Sequence, residues 1–506
     1  MKSRPSGWQF LIYGSFFVVL LCIFHSINEC ISGNTSPNII LTTTTIHVHP
    51  SEIPQKPRRN VQFRLNCTSG YLTRICPAKY YPTNVLHSQD DRDCPLPAAC
   101  PDYFRWIHED LRPWKETGIT RDTVESGRKT AHFRLVIVEG RAYVETYRRA
   151  GPNRDFYTLW GILQLLRRYP GKIPDLDLMF NWADTPVVKS VDYSGPNATA
   201  PPPLFRYCGD DATLEIVFPD WTFWGWPETN IKPWKEFLDD VKEGEKRWMD
   251  KEAYAYWKGN PMLAPTRRDL AKFQIGMENH GFLQYSSEEH LIYSRNYKTG
   301  LTLADNLSVE YEWELSWYKI YVERVGWSVS EKYILACNSV TLPVKPRYYD
   351  FFTSGLMPMH HYWPINEDDK CRSIKFAVEW GNSHKQKAQE IGKAGSDFTQ
   401  EDLVDYVYDY MFHLLSKYAK LMRYKPTIPE RAIEICSETL ACPAIEIQKK
   451  IMMESMVKDP TDVSPCDMSP PYDALALRRL LKRKANSISQ VELWEMRYWE
   501  NQTKYN

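Results

Sequence analysis

The stretch VGWSVSEKYILACNSVTLPV, residues 325–344, reads as a loop, a short helix and a strand, and WYKIYVE just before it, 317–323, is apolar enough for a buried strand. Strand, loop and helix amino end in that order bring free backbone N–H groups and the positive end of a helix dipole to one point, which suits an anion such as a diphosphate. Ser328, with Glu331 three residues on, forms a capping box that predicts a helix running VSEKYILAC from residue 329. Capping accounts for Ser328 but not for Ser330 or Trp327. Ser328 and Ser330 are therefore candidate hydrogen-bond donors to a phosphate, and Lys332 a candidate charge.

A second alternating unit lies upstream. TLWGILQLLRRYPGKIPDLDLMFNWADTP, residues 158–186, has apolar helix positions from Leu159 to Leu166, a Pro170-Gly171 break and a short strand Leu176–Phe180. Asp184 follows that strand and Pro186 ends it. Ligands of open α/β sheets gather outside the carboxyl ends of strands, so Asp184 is a site candidate, the alternative being a loop aspartate capping a turn. Asp175-Leu176-Asp177 has the D-x-D pattern that holds manganese in metal-dependent sugar transferases. It opens the strand instead of closing it, which predicts a strand-entry role away from the crevice.

Other segments supply the frame. AHFRLVIVEGRAYVET, 131–146, reads as a hairpin turning at Glu139-Gly140, and YFRWIHEDLRPW, 103–114, as an amphipathic helix. FPDWTFWGWPETNIKPW, 218–234, crowds tryptophans with proline and glycine; such a segment either offers aromatic faces to a sugar or peptide or packs as a loop under the core. His360 and His361 are adjacent, so an extended strand points them to opposite sides and shared metal ligation is disfavoured. YVYDYMFHLLSKYAKLM, 406–422, is an amphipathic helix facing the core, and LRRLLKRKA, 477–485, one facing solvent.

With 506 residues and 43% hydrophobic content the chain exceeds one ordinary core and predicts two lobes. Lys plus Arg and Asp plus Glu each total 63, so no net field favours nucleic acid or an anionic membrane surface. WQFLIYGSFFVVLLCIFHSI, 8–27, follows Lys2 and Arg4, carries no clear cleavage site and matches the roughly 20 apolar residues that span a bilayer. It predicts a retained anchor of a single-pass type II membrane protein, with the body in a lumen. Acceptor sites for N-glycans at Asn34, Asn66, Asn197, Asn306 and Asn501 agree with that topology. So do Cys67, Cys76, Cys94 and Cys100 near the start of the body and Cys436, Cys442 and Cys466 near its end, which predict disulfides whose pairing is open, with no C-x-x-C among the first four to suggest zinc. TSPNIILTTTTIHVHPSEIPQKPRR, 35–59, lies within a Thr/Pro/Ser-rich stem spanning 28–65. The final TKYN is not a retrieval signal, leaving retention to the anchor and favouring the Golgi over the endoplasmic reticulum.

GWSVSEKYILACNSVTLPVKPRYYDFFTSGLMPMHHYWPI, together with WTFWGWPE, AYWKGNPMLAPTRRDL and PDLDLMFNWADTPVV, resembles the plant members of the Rumi/CAP10 glycosyltransferase family, homologues of the protein O-glucosyltransferases, over roughly residues 95–500. The resemblance implies an α/β, GT-B-like pair of Rossmann-type lobes facing a cleft. It implies an inverting transfer of glucose or xylose from a UDP-sugar, with no metal or other cofactor; the donor, UDP-glucose or UDP-xylose, and the acceptor, a hydroxyl of a protein or of a cell-wall polysaccharide, stay open. The expected organisation is a cytosolic tail and anchor at 1–27, the stem, a Cys-rich segment at 66–100, an acceptor lobe at 101–245, a donor lobe at 246–425 and a helical, disulfide-bonded region at 426–506.

By this resemblance Asp184 falls on the family's catalytic aspartate and acts as general base on the acceptor hydroxyl. Gly259 and Asn260 match the donor-binding turn and Arg267 or Arg268 the arginine after it. Val325, Gly326, Trp327, Ser328, Val329 and Ser330 match the loop around the nucleotide diphosphate. Pro152, Asn153 and Arg154, with Asp220, Trp221, Thr222, Phe223, Trp224 and Gly225, match the walls that grip the acceptor. The chain departs from its relatives in three places: Ser330 stands where animal members carry Arg, FNWADTP replaces FDCVDWP, and ERVGWSVSEK replaces EGxAWSVSEK. Residues 271–315 also depart. Donor charge is then expected from Lys332, Arg267 or Arg268 and the helix amino end. The other classes open to the sequence are a metal-dependent GT-A transferase using Asp177 and an inactive lumenal protein that keeps the cleft.

Overall fold

SWYKIY, Ser316–Tyr321, is buried at every position, which a strand tolerates only where both faces of its sheet are covered. It forms β8 at the centre of a four-stranded sheet ordered β7-β6-β8-β9, with β6 Glu252–Trp257, β7 Leu283–Tyr285 and β9 Val340–Pro343. Every pairing in that sheet is parallel. The computed structural model describes residues 64–67, 75–77, 97–148, 153–196, 198–244, 247–257, 259, 264–268, 270, 283–285, 316–461 and 463–505. The anchor segment 8–27, Cys94, Pro152, Asn260 and the acceptor sites Asn34, Asn197 and Asn306 lie outside the described residues. Among those described, no helix is long and apolar enough to cross a membrane.

The other sheet has six strands in the order β10-β2-β1-β3-β4-β5. Its hairpin is the one expected: β1 Phe133–Val138 and β2 Arg141–Thr146 pair antiparallel with Val138 opposite Arg141. Glu139 and Gly140 turn the chain with positive φ, 52° and 74°, as a two-residue hairpin loop requires. β3 Leu176–Phe180 pairs antiparallel with β1 but parallel with β4 Leu204–Arg206, and β5 Ile216–Val217 continues the parallel half. β10 Ile433–Ile435 closes the far edge against β2. This sheet is therefore mixed where a Rossmann-type lobe would be parallel, because a tight turn can join only antiparallel neighbours.

Helix α1, Arg154–Arg168, precedes β3 as expected, and its inner face carries Trp160, Leu163 and Leu166. Gly161 on this helix meets the indole of Trp224, and a Cβ there would overlap the ring. Gly161→Ala is expected to destabilise the fold by about 1–3 kcal/mol, read from a denaturant midpoint, since the close-packed core has no room for the methyl. The 103–114 segment differs from expectation. It breaks into three short helical pieces, a 3-10 turn at Asp102–Arg105, an α-helical turn at Trp106–Asp110 and a 3-10 turn at Arg112–Trp114, the last with Pro113 near its start.

Among the described residues, two hydrophobic clusters form the interior. One surrounds the six-stranded sheet and takes in Leu414, Leu415 and Tyr418 of α5, Leu403–Leu421. The other surrounds β6, β8 and β9 with α3 Lys370–Ser383, α4 Lys385–Asp397 and Val491 of α6, Ala474–Tyr505. Helix α2, Ser330–Leu335, lies between β8 and β9 in sequence, yet Trp327 beside it and Tyr333 and Leu335 within it belong to the first cluster. The loop and helix after β8 thus lock one sheet to the core of the other.

Disulfides Cys67–Cys442, Cys76–Cys436 and Cys100–Cys466 tie the start of the body to its end. Each closes more than 350 residues, loops long enough that cross-linking strongly restricts the unfolded chain. His413 Nε2 donates to the Cys466 carbonyl oxygen at 2.8 Å and lies 3.6 Å from Cys100 Sγ. The one cluster of metal-ligating types among the described residues, Cys100, His413 and Cys466, is accordingly a disulfide with a histidine packed on it.

Candidate active site

Asp184 sits on an elbow pinned from several sides. After β3, Asn181 Oδ1 accepts from Ala183 N at 2.8 Å, a side-chain turn of the kind asparagine favours, while its amide donates to Thr130 O at 2.6 Å. Buried Arg206 donates to the carbonyls of Ala183 and Thr185, and Cys208 Sγ lies 3.2 Å from the carbonyl of Asp184. The carboxylate itself is 17% exposed, with Arg154 Nη1 on Oδ1 and Arg324 Nη2 on Oδ2. It is not a turn cap: its oxygens face arginines from two different elements.

His132 holds the approach to this elbow. Its Nδ1 accepts from Trp182 N at 3.2 Å and its ring lies 4.0 Å from the Trp182 indole. Burial, then the cations of Arg148 and Arg206, push its pKa down to about 4. Because the folded value lies below the unfolded one near 6.5, the unfolded chain binds more protons in between, so stability falls as pH drops from 6.5 toward 4. The slope contributed is up to about 1.4 kcal/mol per pH unit. His132→Asn is expected to flatten the acid limb of a melting-temperature profile across that window, leaving the contribution of His361, also lowered to about 4 by burial.

The loop after β8 meets Asp184 from the other sheet. Thr185 Oγ1 donates to Val325 O at 2.9 Å, and Tyr348 Oη donates to the same carbonyl at 3.2 Å. Gly326 packs on the backbone of Asp184 so closely that a Cβ would overlap its carbonyl. Trp327 is buried with its ring 5.6 Å from Tyr207 and 6.1 Å from Trp221. Gly326→Ala is expected to push this loop off Asp184 and to destabilise the protein by about 1–3 kcal/mol, the usual range for forcing an extra methyl into a packed contact.

The expected capping box is not formed. Helix α2 starts at Ser330 with Val329 as its cap residue and no side-chain cap bond. Ser328 Oγ and Ser330 Oγ lie 2.9 Å apart and bond each other, while Glu331 turns inward and is buried. Burial holds the Glu331 carboxyl well above the usual carboxylate range, so it is a neutral core group, not a cap.

Lys332 also departs from its expected role. It is 1% exposed and its Nζ lies 2.6 Å from Oδ2 of Asp220, itself fully buried. It neutralises the aromatic segment instead of a phosphate. Arg267 is likewise engaged, donating to the carbonyls of Val322 at 2.6 Å and Glu323 at 3.2 Å, whereas Arg268 is exposed. Gly259 lies against Trp257. Of the expected acceptor walls, Asp220, Trp221, Thr222, Phe223 and Trp224 are all buried, so this segment is a packed loop under the core and not an open aromatic face; Asp220 caps its turn, accepting from Thr222 N at 2.8 Å and from Thr222 Oγ1, and Gly225 N donates to Thr222 O at 3.0 Å. Gly225 ends that turn with φ 101°. Asn153, with φ 42°, bonds Glu228 and starts α1, and Arg154 next to it reaches Asp184 over the rings of Trp221 and Trp226.

Asp177 has a structural role. Arg134 grips it through two bonds, 2.7 and 2.6 Å, Tyr424 Oη donates to it at 2.8 Å, and it is fully buried. Asp175 Oδ1 accepts from Glu139 N at 2.8 Å and stabilises the hairpin turn. The D-x-D pattern is therefore a strand device on both counts. His360 and His361 lie in a turn, not the expected extended strand, so their rings come together at 4.4 Å, tilted by 41°, and His361 Nδ1 accepts from Met357 N at 2.9 Å.

A cavity of about 660 Å³ adjoins the β8 loop through Tyr348, and Asp210, Arg347, Glu331, Asp350 and Tyr410 also line it. That volume falls within the roughly 300–1,000 Å³ of small-ligand sites. Burial raises the carboxyls of Asp350 and Glu331 well above the usual carboxylate range.

A family model for glycosyl transferase family 90 matches residues 96–495. The chain belongs to that family. Within it, this family 90 transferase is 25% identical over 367 residues to O-glucosyltransferase rumi of Drosophila melanogaster, covering 67% of this chain and 82% of the fly protein. It is 26% identical over 341 residues to human protein O-glucosyltransferase 1, covering 65% and 82%. With protein O-glucosyltransferase 2 of Danio rerio the identity is 24% over 353 residues, covering 66% and 67%. The family 90 transferase thus has O-glucosyltransferases as relatives, and its matched region spans both sheets and the elbow at Asp184.

Proposed function

We propose that this transferase moves glucose or xylose from a UDP-sugar to a hydroxyl of a protein or cell-wall glycan, with inversion and without a metal ion. The observation that carries the proposal is the meeting of two sheets' carboxyl edges at one carboxylate: the elbow after β3 presents Asp184, and the loop after β8 closes on it. In open α/β folds that edge is where ligands bind. The names of the relatives favour glucose as the sugar.

The chemistry assigns Asp184 the proton. As the acceptor oxygen bonds to the anomeric carbon, the bond from that carbon to the diphosphate oxygen breaks and its electron pair leaves with UDP. The acceptor proton passes to Asp184, a general base on the face opposite the leaving group. Ser328, Ser330 and exposed Arg268 are the available donors for the diphosphate, with residues 246–425 as the donor lobe and 101–245 as the acceptor lobe. The GT-A alternative finds little support, since Asp177 is enclosed by Arg134 and Tyr424.

The lumenal, Golgi-directed topology rests on the anchor sequence, the disulfides and the exposure of Asn66 and Asn501. Expressed through a secretory pathway, the protein is expected to carry glycans at both asparagines, seen as a mobility shift on deglycosylation that Asn66→Gln and Asn501→Gln each reduce. Unmodified protein at both sites would remove the topology. Activity is tested by offering the purified protein UDP-glucose and UDP-xylose with peptide and glycan acceptors and measuring UDP release.

A further inference from the structure

We propose that Arg324 is shared between the base and the donor: in the free protein it occupies Oδ2 of Asp184, and an incoming diphosphate draws it away, opening that oxygen to the acceptor hydroxyl. The inference rests on the reading of Asp184 and the β8 loop given above. It starts from an excess of charge. Two guanidiniums, Arg154 and Arg324, converge on one carboxylate, so the site carries one more cation than anion. Burial and the neighbouring Arg154 both act against the charged form of Arg324.

The two arginines are not equivalent. Arg154 stands in the first turn of α1, 17% exposed, with its guanidinium 4.7 Å from the Trp221 ring and 5.8 Å from that of Trp226. Stacked between helix and indoles, it has one position. Arg324 lies on the loop after β8, is 32% exposed, and among the described residues its guanidinium has Asp184 as its ion-pair partner, with no ring stacked on it. Its backbone is held in place, and among the described residues the Asp184 pair is the ion pair that ties its side chain: Arg324 N donates to Gly326 O at 3.2 Å and the next residue's carbonyl takes Thr185 Oγ1.

The other cations around the loop have fixed duties. Lys332 neutralises Asp220, Arg267 binds the carbonyls that end β8, and Arg206 binds those of the Asp184 elbow. Removing any of them from these partners would leave a buried charge or a buried carbonyl unpaired. Moving Arg324 exchanges one anion for another and leaves Asp184 still paired with Arg154. Arginine suits that exchange because its planar fork bonds carboxylate and phosphate alike. A proton arriving at Oδ2 while Arg324 is there would meet a cation at contact, so base and donor become coupled: the acceptor is deprotonated only after the donor has bound.

Calorimetric titration of UDP and of uridine into wild type, Arg324→Gln, Asp184→Asn and the double variant tests this. Arg324→Gln is expected to weaken UDP about tenfold or more, the scale of one charge-assisted phosphate contact, and to leave uridine unchanged. Asp184→Asn is expected to tighten UDP about fivefold because Arg324 is already free, and to change it less than about twofold in the Arg324→Gln background, the non-additivity of coupled groups. Arg324→Lys should recover part of the UDP affinity. Equal UDP affinity in wild type and Arg324→Gln would overturn the exchange. So would the same tightening by Asp184→Asn in both backgrounds, which would reflect simple repulsion by the carboxylate, or a UDP loss confined to Arg268→Gln. Failure of wild type to bind UDP at all would instead remove the donor reading on which the exchange rests.

Discussion

Asp184→Asn is expected to lower transfer by roughly 10² to 10⁴, the usual contribution of a positioned general base, while the protein still binds UDP. The amide has nearly the shape of the carboxylate but cannot take the acceptor proton. The elbow that carries it is held by backbone contacts of Arg206, Cys208 and His132, none of which involves the carboxylate oxygens. Both partners of the Arg154 pair are 17% exposed, and the amide leaves that guanidinium without its anion, so a stability loss of about 1–3 kcal/mol is expected beside the rate effect. Rates from initial UDP release, set beside a denaturant midpoint, separate the two effects. Full turnover by this variant would place the base elsewhere.

Lys332→Ala is expected to act on folding and not on the donor. The pair it makes with Asp220 has side chains 1% and 0% exposed, so alanine leaves a buried carboxylate with its cation gone, a change of about 3–5 kcal/mol. Asp220 also accepts from the Thr222 amide and so caps the Trp221–Trp224 turn that places Trp224 against α1, and the damage spreads into the aromatic loop beneath the site. The measurement is a urea midpoint together with UDP affinity on the fraction that stays folded. A variant with wild-type stability and lost UDP binding would return Lys332 to the donor pocket.

The periodicities that a sequence displays are those of local structure, and these were readable: the hairpin at Glu139-Gly140, the helix over Leu159–Leu166 and the strands Leu176–Phe180 and WYKIY lie where their apolar patterns put them. Asp184 was legible because it follows a buried strand and because the surrounding words resemble a known family. Partnership across the chain was not. Nothing near Lys332 in sequence announces Asp220, 112 residues away, and nothing near Cys100 announces Cys466. The tryptophan-rich segment looked equally suited to a ligand or a core, and burial decides for the core.

Arg324 illustrates the same limit. Its departure from the relatives' EGxAWSVSEK pattern is visible in ERVGWSVSEK, but a lone charged residue after a strand has no meaning until the fold sets it opposite Asp184, 140 residues away. The capping box failed for a related reason. Ser328 and Glu331 have the right spacing, yet the tertiary fold turns Glu331 into the core beside Tyr321 and begins the helix two residues later than Ser328. A local preference worth about 1 kcal/mol yields readily to burial of the surrounding chain.

We propose that this family 90 member transfers sugar from a UDP donor without a metal ion. UDP release from UDP-glucose and UDP-xylose, in the presence of a peptide or glycan acceptor and excess EDTA, tests it most directly. Acceptor-dependent release of UDP from one of these donors, at a rate that EDTA leaves unchanged, is the expected result. Release that stops with EDTA and returns with manganese, or no release from either donor with any acceptor, would contradict it.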